Sequence, residues 1–190
     1  EYGIRRARFA AINLKGEDEL VGMVQVDPDD KDDIVLITQT GMALRFKLDT
    51  VSCTGRATAG VRGIDVAKND AVRWFEIPKA GTMLFVVSDR GFGKRMLCDD
   101  IERQGRAGKG QKLLPMNKSG ETGQMLAACL NVTEAKAVRV EQKHGHVTTL
   151  DVSEISVQRR TAKGELLVNV LLDDVVEYAA LAGDMQEKTE

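Results

Sequence analysis

Aromatic residues are scarce, at 4% of the 190-residue chain, and there are only three prolines and two histidines. A core built from this sequence must therefore rest on Val, Leu, Ile, Met and Ala. So little proline beside 18 glycines suits many tight turns between short strands. Cysteine is sparse too. Cys53, Cys98 and Cys129 are odd in number and widely spaced, with no CxxC. That argues against a disulfide framework or a zinc ribbon and makes buried, reduced thiols the expectation. No apolar run reaches the ~18 residues of a membrane span, and no signal peptide is visible. The chain begins at Glu1 rather than Met, which reads as a piece of something longer. A strong excess of either charge is also missing: the formal net charge is −2, which does not advertise a nucleic-acid binder.

A sum hides the distribution, however, and the distribution decides which surface attracts phosphate. Asp27 to Asp33 (DPDDKDD) carries five acids and one Lys, whereas Arg103 to Lys112 (RQGRAGKGQK) carries four cations, three glycines and no acid. The basic stretch is not a nucleotide cradle. A P-loop needs GxxxxGK[ST], but the first Gly falls on Arg103 and the hydroxyl position on Gly110. The GxG at Gly91 and Gly93 has Met96 where a dinucleotide motif needs Gly. The acidic stretch is not an EF-hand, because Asp32 stands at the Gly position and Thr38 at the Glu position; it reads as a solvated turn. His144 and His146 flank a turn glycine without a third ligand, and Tyr2 and Tyr178 sit in no nucleophile setting. No catalytic residue, metal site or cofactor is expected in this chain.

What the sequence does contain is repetition. Gly41, Gly91 and Gly145 each follow an apolar strand-like stretch. Fifteen residues on come Arg56, Arg106 and Arg160, then four further Gly60, Gly110 and Gly164, then four further Ile64, Leu114 and Val168. The first residues match the second half of such a unit, since Ile12 precedes Leu20 by eight residues as Ile64 precedes Val72. The expected divisions are a partial repeat over 1–26, full repeats over 33–80, 81–134 and 135–183, and a tail over 184–190. Within the first full unit, Asp33 to Thr38 and Met42 to Leu48 form a hairpin about Thr40-Gly41. Strands over Val61 to Val66 and Ala71 to Ile77 follow. The stretch DDVVEYAALAGDMQE reads as a strand by its alignment with Asp70 to Ile77. The fold class is all-β, with about four strands per ~50-residue unit, the signature of a propeller-like array whose units complete one another's cores.

Cations keep step with this repeat. Arg45 and Lys47 alternate with apolar neighbours, so a strand puts both on one face, and Lys94 and Arg95 hold the corresponding place. The matching loops carry Arg56 and Arg62; Arg103, Arg106, Lys109 and Lys112; and Arg159, Arg160 and Lys163. Two readings stand. Repeats need polar outer faces, and Lys and Arg fill them. Alternatively, cations beside glycines, where backbone N–H groups can approach an anion, form a phosphate grip.

The segments LRFK…GRATAGVRGI, RGFGKR and VSEIS…RRTAKG resemble the C-terminal domain of gyrase A, the DNA gyrase chain, and of its topoisomerase IV counterpart, over essentially the whole sequence. The resemblance implies a β-pinwheel, a propeller-like ring whose blades exchange strands and whose basic rim wraps DNA. Against the family's box Q-[KR]-R-G-G-[KR]-G, Gln104, Arg106, Gly108, Lys109 and Gly110 match while Gly105 and Ala107 depart. The implied function is non-catalytic, sequence-independent binding of double-stranded DNA in a bacterial, cytoplasmic, nucleoid-associated type IIA topoisomerase. The rest of gyrase A, together with gyrase B, would be its partners in an A2B2 enzyme. ATP and Mg would act elsewhere in that enzyme, and no membrane is involved. The alternatives are the topoisomerase IV domain and a propeller-like protein-interaction platform.

Overall fold

The computed structural model describes residues 11–27, 29, 32–55, 58–117, 119–133 and 136–183. Eleven strands make three antiparallel sheets, and no α-helix occurs among the described residues. Each unit opens with a hairpin: β1 (Asp33–Thr38) with β2 (Met42–Lys47), β4 (Met83–Ser88) with β5 (Phe92–Met96), and β8 (Ala137–Gln142) with β9 (Val147–Asp151). The turns are built alike. Gly41 at φ 83°, Gly91 at 78° and Gly145 at 87° occupy the left-handed region that only glycine enters freely. Their N–H groups donate to Thr38, Ser88 and Gln142 carbonyls at 2.9, 3.0 and 2.9 Å. A single 3-10 turn follows each hairpin, at Leu48–Thr50, Cys98–Asp100 and Val152–Glu154.

An inner strand then returns to the first strand of each hairpin. These are β3 (Val72–Glu76), β7 (Leu126–Val132) and β11 (Val176–Leu181), paired with β1, β4 and β8. The inner strands pack in sequence, β3 beside β7 and β7 beside β11. At the opposite edge, the units exchange strands. β6 (Gln111–Lys112), from the second unit, pairs with β2 of the first. β10 (Glu165–Leu166), from the third, pairs with β5 of the second. The sheets therefore run β3-β1-β2-β6, β10-β5-β4-β7 and β11-β8-β9.

The strand expected over Val61 to Val66 is absent. Its counterparts β6 and β10 exist only because a preceding hairpin receives them, and no hairpin precedes this segment among the described residues. Met42 to Lys47 forms the expected strand, but Leu48 turns into the 3-10 segment.

The core lies between sheets. Along β4, Leu84 and Val86 enter one cluster with Val35, Ile37 and Leu114, while Phe85 and Val87 enter another with Val138, Val140 and Val168. Alternation along a strand sends successive side chains to opposite faces. The middle sheet is thus covered on both faces, and β4 reads as the unbroken apolar run MLFVV closed by the buried Ser88. β8, in the last sheet, alternates buried and half-buried residues as AVRVEQ.

Candidate nucleic-acid interface

The recurring cations divide into two groups, and the first group lies inside the protein. Lys94 is fully buried. Its Nζ donates to the Arg159, Arg160 and Ala162 carbonyls at 2.9, 2.7 and 2.6 Å. Burial, reinforced by the Arg160 charge, pulls the ammonium down to about 8. Arg95 is 5% exposed, and its Nε and Nη2 donate to the Ile155 and Ser153 carbonyls at 2.6 and 3.1 Å. Arg45 does the corresponding work one unit earlier. Its Nη1 donates to the Cys98 carbonyl at 3.0 Å, and it pairs with Asp99 at 2.7 Å and with Asp33 at 2.6 Å. In both units an arginine on the second hairpin strand grips the 3-10 turn of the next unit.

Asp33 is the residue that sequence reasoning missed. Expected in a solvated turn, its side chain is only 5% exposed and is held by Arg45 and by Arg103, whose Nε and Nη2 donate at 3.0 and 2.9 Å. Burial opposes the charge, yet the hydrogen bonds from Arg103 and Arg45 outweigh it and keep the carboxyl below its ordinary range. Its neighbour Asp32 pairs with Lys79. Pro28, Asp30 and Lys31 of the same acidic stretch lie outside the described residues. The arginines that anchor the repeat also act between units. Arg106 donates to the Arg62 carbonyl at 2.5 Å, and Arg160 to the Lys112 carbonyl at 2.9 Å. Each ties its unit to the equivalent segment of the preceding one, which in the case of Lys112 is the exchanged strand β6.

Three expected DNA contacts, Lys94, Arg95 and Arg45, thus need correction. Lys94, Arg95 and Arg45 have their donors consumed by carbonyls and carboxylates, and the half-exposed Arg103 is tied to Asp33. Adjacent Lys94 and Arg95 point to opposite faces of β5, so they do not reproduce the Arg45 and Lys47 arrangement. Arg95 is the structural counterpart of Arg45 and Lys94 that of Leu44. The reason is physical: a strand covered on both sides has no solvent face to give a cation, so the cation is kept only where carbonyls receive it.

The second group faces water. Lys47, Arg62, Lys109, Lys112, Arg159 and Lys163 are exposed. Arg62 pairs with Asp65; for the other five no carboxylate partner is found among the described residues. Lys112 lies on β6, Lys109 precedes it, and Arg159 and Lys163 precede β10. These are the outer strands of their sheets. Arg62 holds the equivalent place in the first unit. Arg56 lies outside the described residues. The thiols are mixed: Cys98 and Cys129 are buried, but Cys53 is exposed, contrary to expectation.

Antiparallel sheets that trade one outer strand between neighbours, around packed inner strands, define a β-pinwheel. The chain belongs to the DNA gyrase C-terminal domain, beta-propeller family, which matches residues 10–27, 32–79, 82–122 and 149–182. Among curated proteins, it is 36% identical to the DNA gyrase A protein of Deinococcus deserti over 93% of the chain and 22% of that protein. It is 31% identical to the DNA gyrase A protein of Salmonella typhimurium over 90% of the chain and 19% of that protein. The chain therefore spans about a fifth of these relatives' length. Among solved structures, the C-terminal domain of DNA topoisomerase IV superposes with a TM-score of 0.82 at 22% identity, over 90% of this chain and 52% of that one. A DNA gyrase A C-terminal domain superposes with 0.69 at 22% identity, over 80% and 50%.

Proposed function

We propose that this domain is a non-catalytic grip on the backbone of double-stranded DNA within a bacterial DNA gyrase A protein. The observation that carries this reading is the placement of Lys109, Lys112, Arg159 and Lys163. They are exposed and lie on or just before β6 and β10, at the same outer edge of successive sheets. Cations spaced along such an edge meet phosphates and read no bases, so binding is sequence-independent. Each phosphate neutralised releases counterions, and the sum of such contacts offsets the cost of bending a 20–30 bp site, on the order of 1–6 kcal/mol. The parent is an ATP-dependent topoisomerase of the bacterial cytoplasm, in which the rest of gyrase A and its partner gyrase B supply strand cleavage, ATP and Mg. Gyrase A rather than topoisomerase IV is favoured by the relatives at 36% and 31% identity, both of them gyrase A proteins.

The test is a gel-shift titration of this chain on duplex DNA over a range of salt. Lys109→Glu with Lys112→Glu should lower affinity alike on unrelated sequences and flatten the slope of log K against log salt by about 2, near 0.9 per lost contact. Unchanged affinity and slope in the double variant would remove the grip from this edge. Salt-independent binding would favour the protein platform.

A further inference from the structure

The loops bearing Lys109 and Lys163 each leave and rejoin a single strand. Arg103 bridges Arg45 of β2, and Gln111 pairs with Ala43 of the same strand. Val157 bridges Arg95 of β5, and Glu165 pairs with Gly93 of that strand. Each loop therefore begins and ends on either side of one acceptor residue, Leu44 in β2 and Lys94 in β5, and its ends meet. A side chain ties the meeting ends together. Gln111 Oε1 accepts from the Glu102 N–H at 3.0 Å, while its Nε2 donates to Glu102 Oε2 at 3.1 Å. Glu165 Oε1 accepts from the Ser156 N–H at 2.9 Å, and Ser156 Oγ donates to Glu165 Oε2 at 3.3 Å. In both loops the tie spans nine residues. The residue types differ and the bonds do not: an amide meets a carboxylate in one loop, and a carboxylate meets a hydroxyl in the other. What lies beneath the loops also differs. Lys94 takes three carbonyls of the second, and Leu44 packs near Gly108 of the first. The tie across the loop ends is common to both.

We propose that Gln111 and Glu165 are positioning residues for the phosphate grip, closing the two basic loops so that Lys109, Arg159 and Lys163 meet the DNA backbone from a loop that is already ordered. The inference rests on the reading of this outer edge as a DNA grip. Lys109 and Lys163 hold the same place in their loops, two residues before the residue that makes the tie. A loop ordered before binding loses less freedom on binding, so more of the contact energy appears as affinity. The acids in these ties set this role apart from simple attraction. Glu102 and Glu165 bring negative charge to an edge that meets phosphate, and that charge repels it. What they contribute to binding comes through the bonds they make and against the sign of their charge.

That opposition of sign gives the test, a duplex-DNA titration of the 190-residue chain over a range of salt. Charge alone makes Glu165→Ala bind more tightly, because an acid has gone. The tie makes it bind about 2- to 10-fold more weakly. The slope of log K against log salt should stay where it was, because every cation that meets phosphate is still present. Glu165→Gln loses the same charge but keeps an acceptor for the Ser156 N–H, so it should bind at least as tightly as wild type. Gln111→Ala should weaken binding in the first loop with no change of charge. Hydrogen exchange on the free protein reads the loop directly. The Gln158 N–H, bonded to the Arg95 carbonyl at 2.8 Å, and the Ala162 N–H, bonded to the Arg159 carbonyl at 3.0 Å, should exchange faster in Glu165→Ala than in Glu165→Gln. Glu165→Ala binding as tightly as wild type or more so, or exchange alike in the two variants, would overturn the positioning role while leaving the grip in place. A wild type without salt-dependent binding would remove the grip and the positioning role together.

Discussion

At the level of single residues, the informative groups are charges that burial has forced into partnership. Asp33 accepts from two arginines belonging to different units. Asp33→Asn leaves Arg45 and Arg103 without their shared counter-ion, which costs about 3 kcal/mol, the low end for a broken buried pair because Arg103 is half exposed to water. The urea midpoint at pH 7 checks this. Because the folded carboxyl sits below its ordinary 3.8, its contribution is present above that value and lost as pH falls through the folded pKa. The gap between wild type and variant should therefore close in strong acid. Glu76 behaves in the opposite sense. Burial pushes it from 4.5 up to about 7, against a smaller opposing hydrogen bond from the Asn131 backbone. Stability due to its neutral form is complete below pH ~4.5 and drains away as pH rises to about 7. Glu76→Gln should raise the urea midpoint at pH 8 and leave it nearly unchanged at about pH 4.5.

At the level of strands and turns, the hairpins were legible and the exchange was not. Asp33 to Thr38, with its β-branched run ending at Thr40-Gly41, is a strand and turn by local chemistry alone, and the fold keeps it. Val61 to Val66 has comparable local character, yet strand structure there needs a partner that only a neighbouring unit can present. Two glycines separate the local and non-local contributions. Gly60→Ala meets the backbone penalty of a left-handed alanine, about 1–2 kcal/mol. Gly110→Ala meets that penalty and also drives a methyl to within 2.4 Å of the Ala43 carbonyl oxygen. Thermal melts of dilute protein should rank Gly110→Ala well below Gly60→Ala. Leu84, fully buried on β4, should cost about 2–5 kcal/mol as alanine, because sheets on either side hold the cavity open.

At the level of the whole molecule, the periodic cations serve two masters. Arg45, Lys94 and Arg95 from within the sheets, and the half-buried Arg106 and Arg160, join one unit to the next through carbonyl oxygens. Outside, the lysines beside β6 and β10 remain in water. If the outer set alone meets phosphate, Lys94→Met should lower thermal stability while leaving the salt slope of DNA binding where it was. A slope that falls with Lys94→Met as it does with Lys109→Glu and Lys112→Glu would show that buried and outer cations share one role. A net charge of −2 is no obstacle to binding at such an edge. Asp33, Asp65 and Asp99 lie against arginines, while the outer lysines have no such neighbour among the described residues.

The amino-acid sequence determined the repeat, the all-β class and the hairpin turns, because glycine at a left-handed turn and alternation along a strand are consequences of local geometry. It also set the spacing at which arginine returns. Tertiary structure alone decided what those arginines do and where the exchanged strands go. A guanidinium finds a phosphate or a neighbour's carbonyl according to which side of a sheet is covered, and covering is a property of units packed together, not of any one of them.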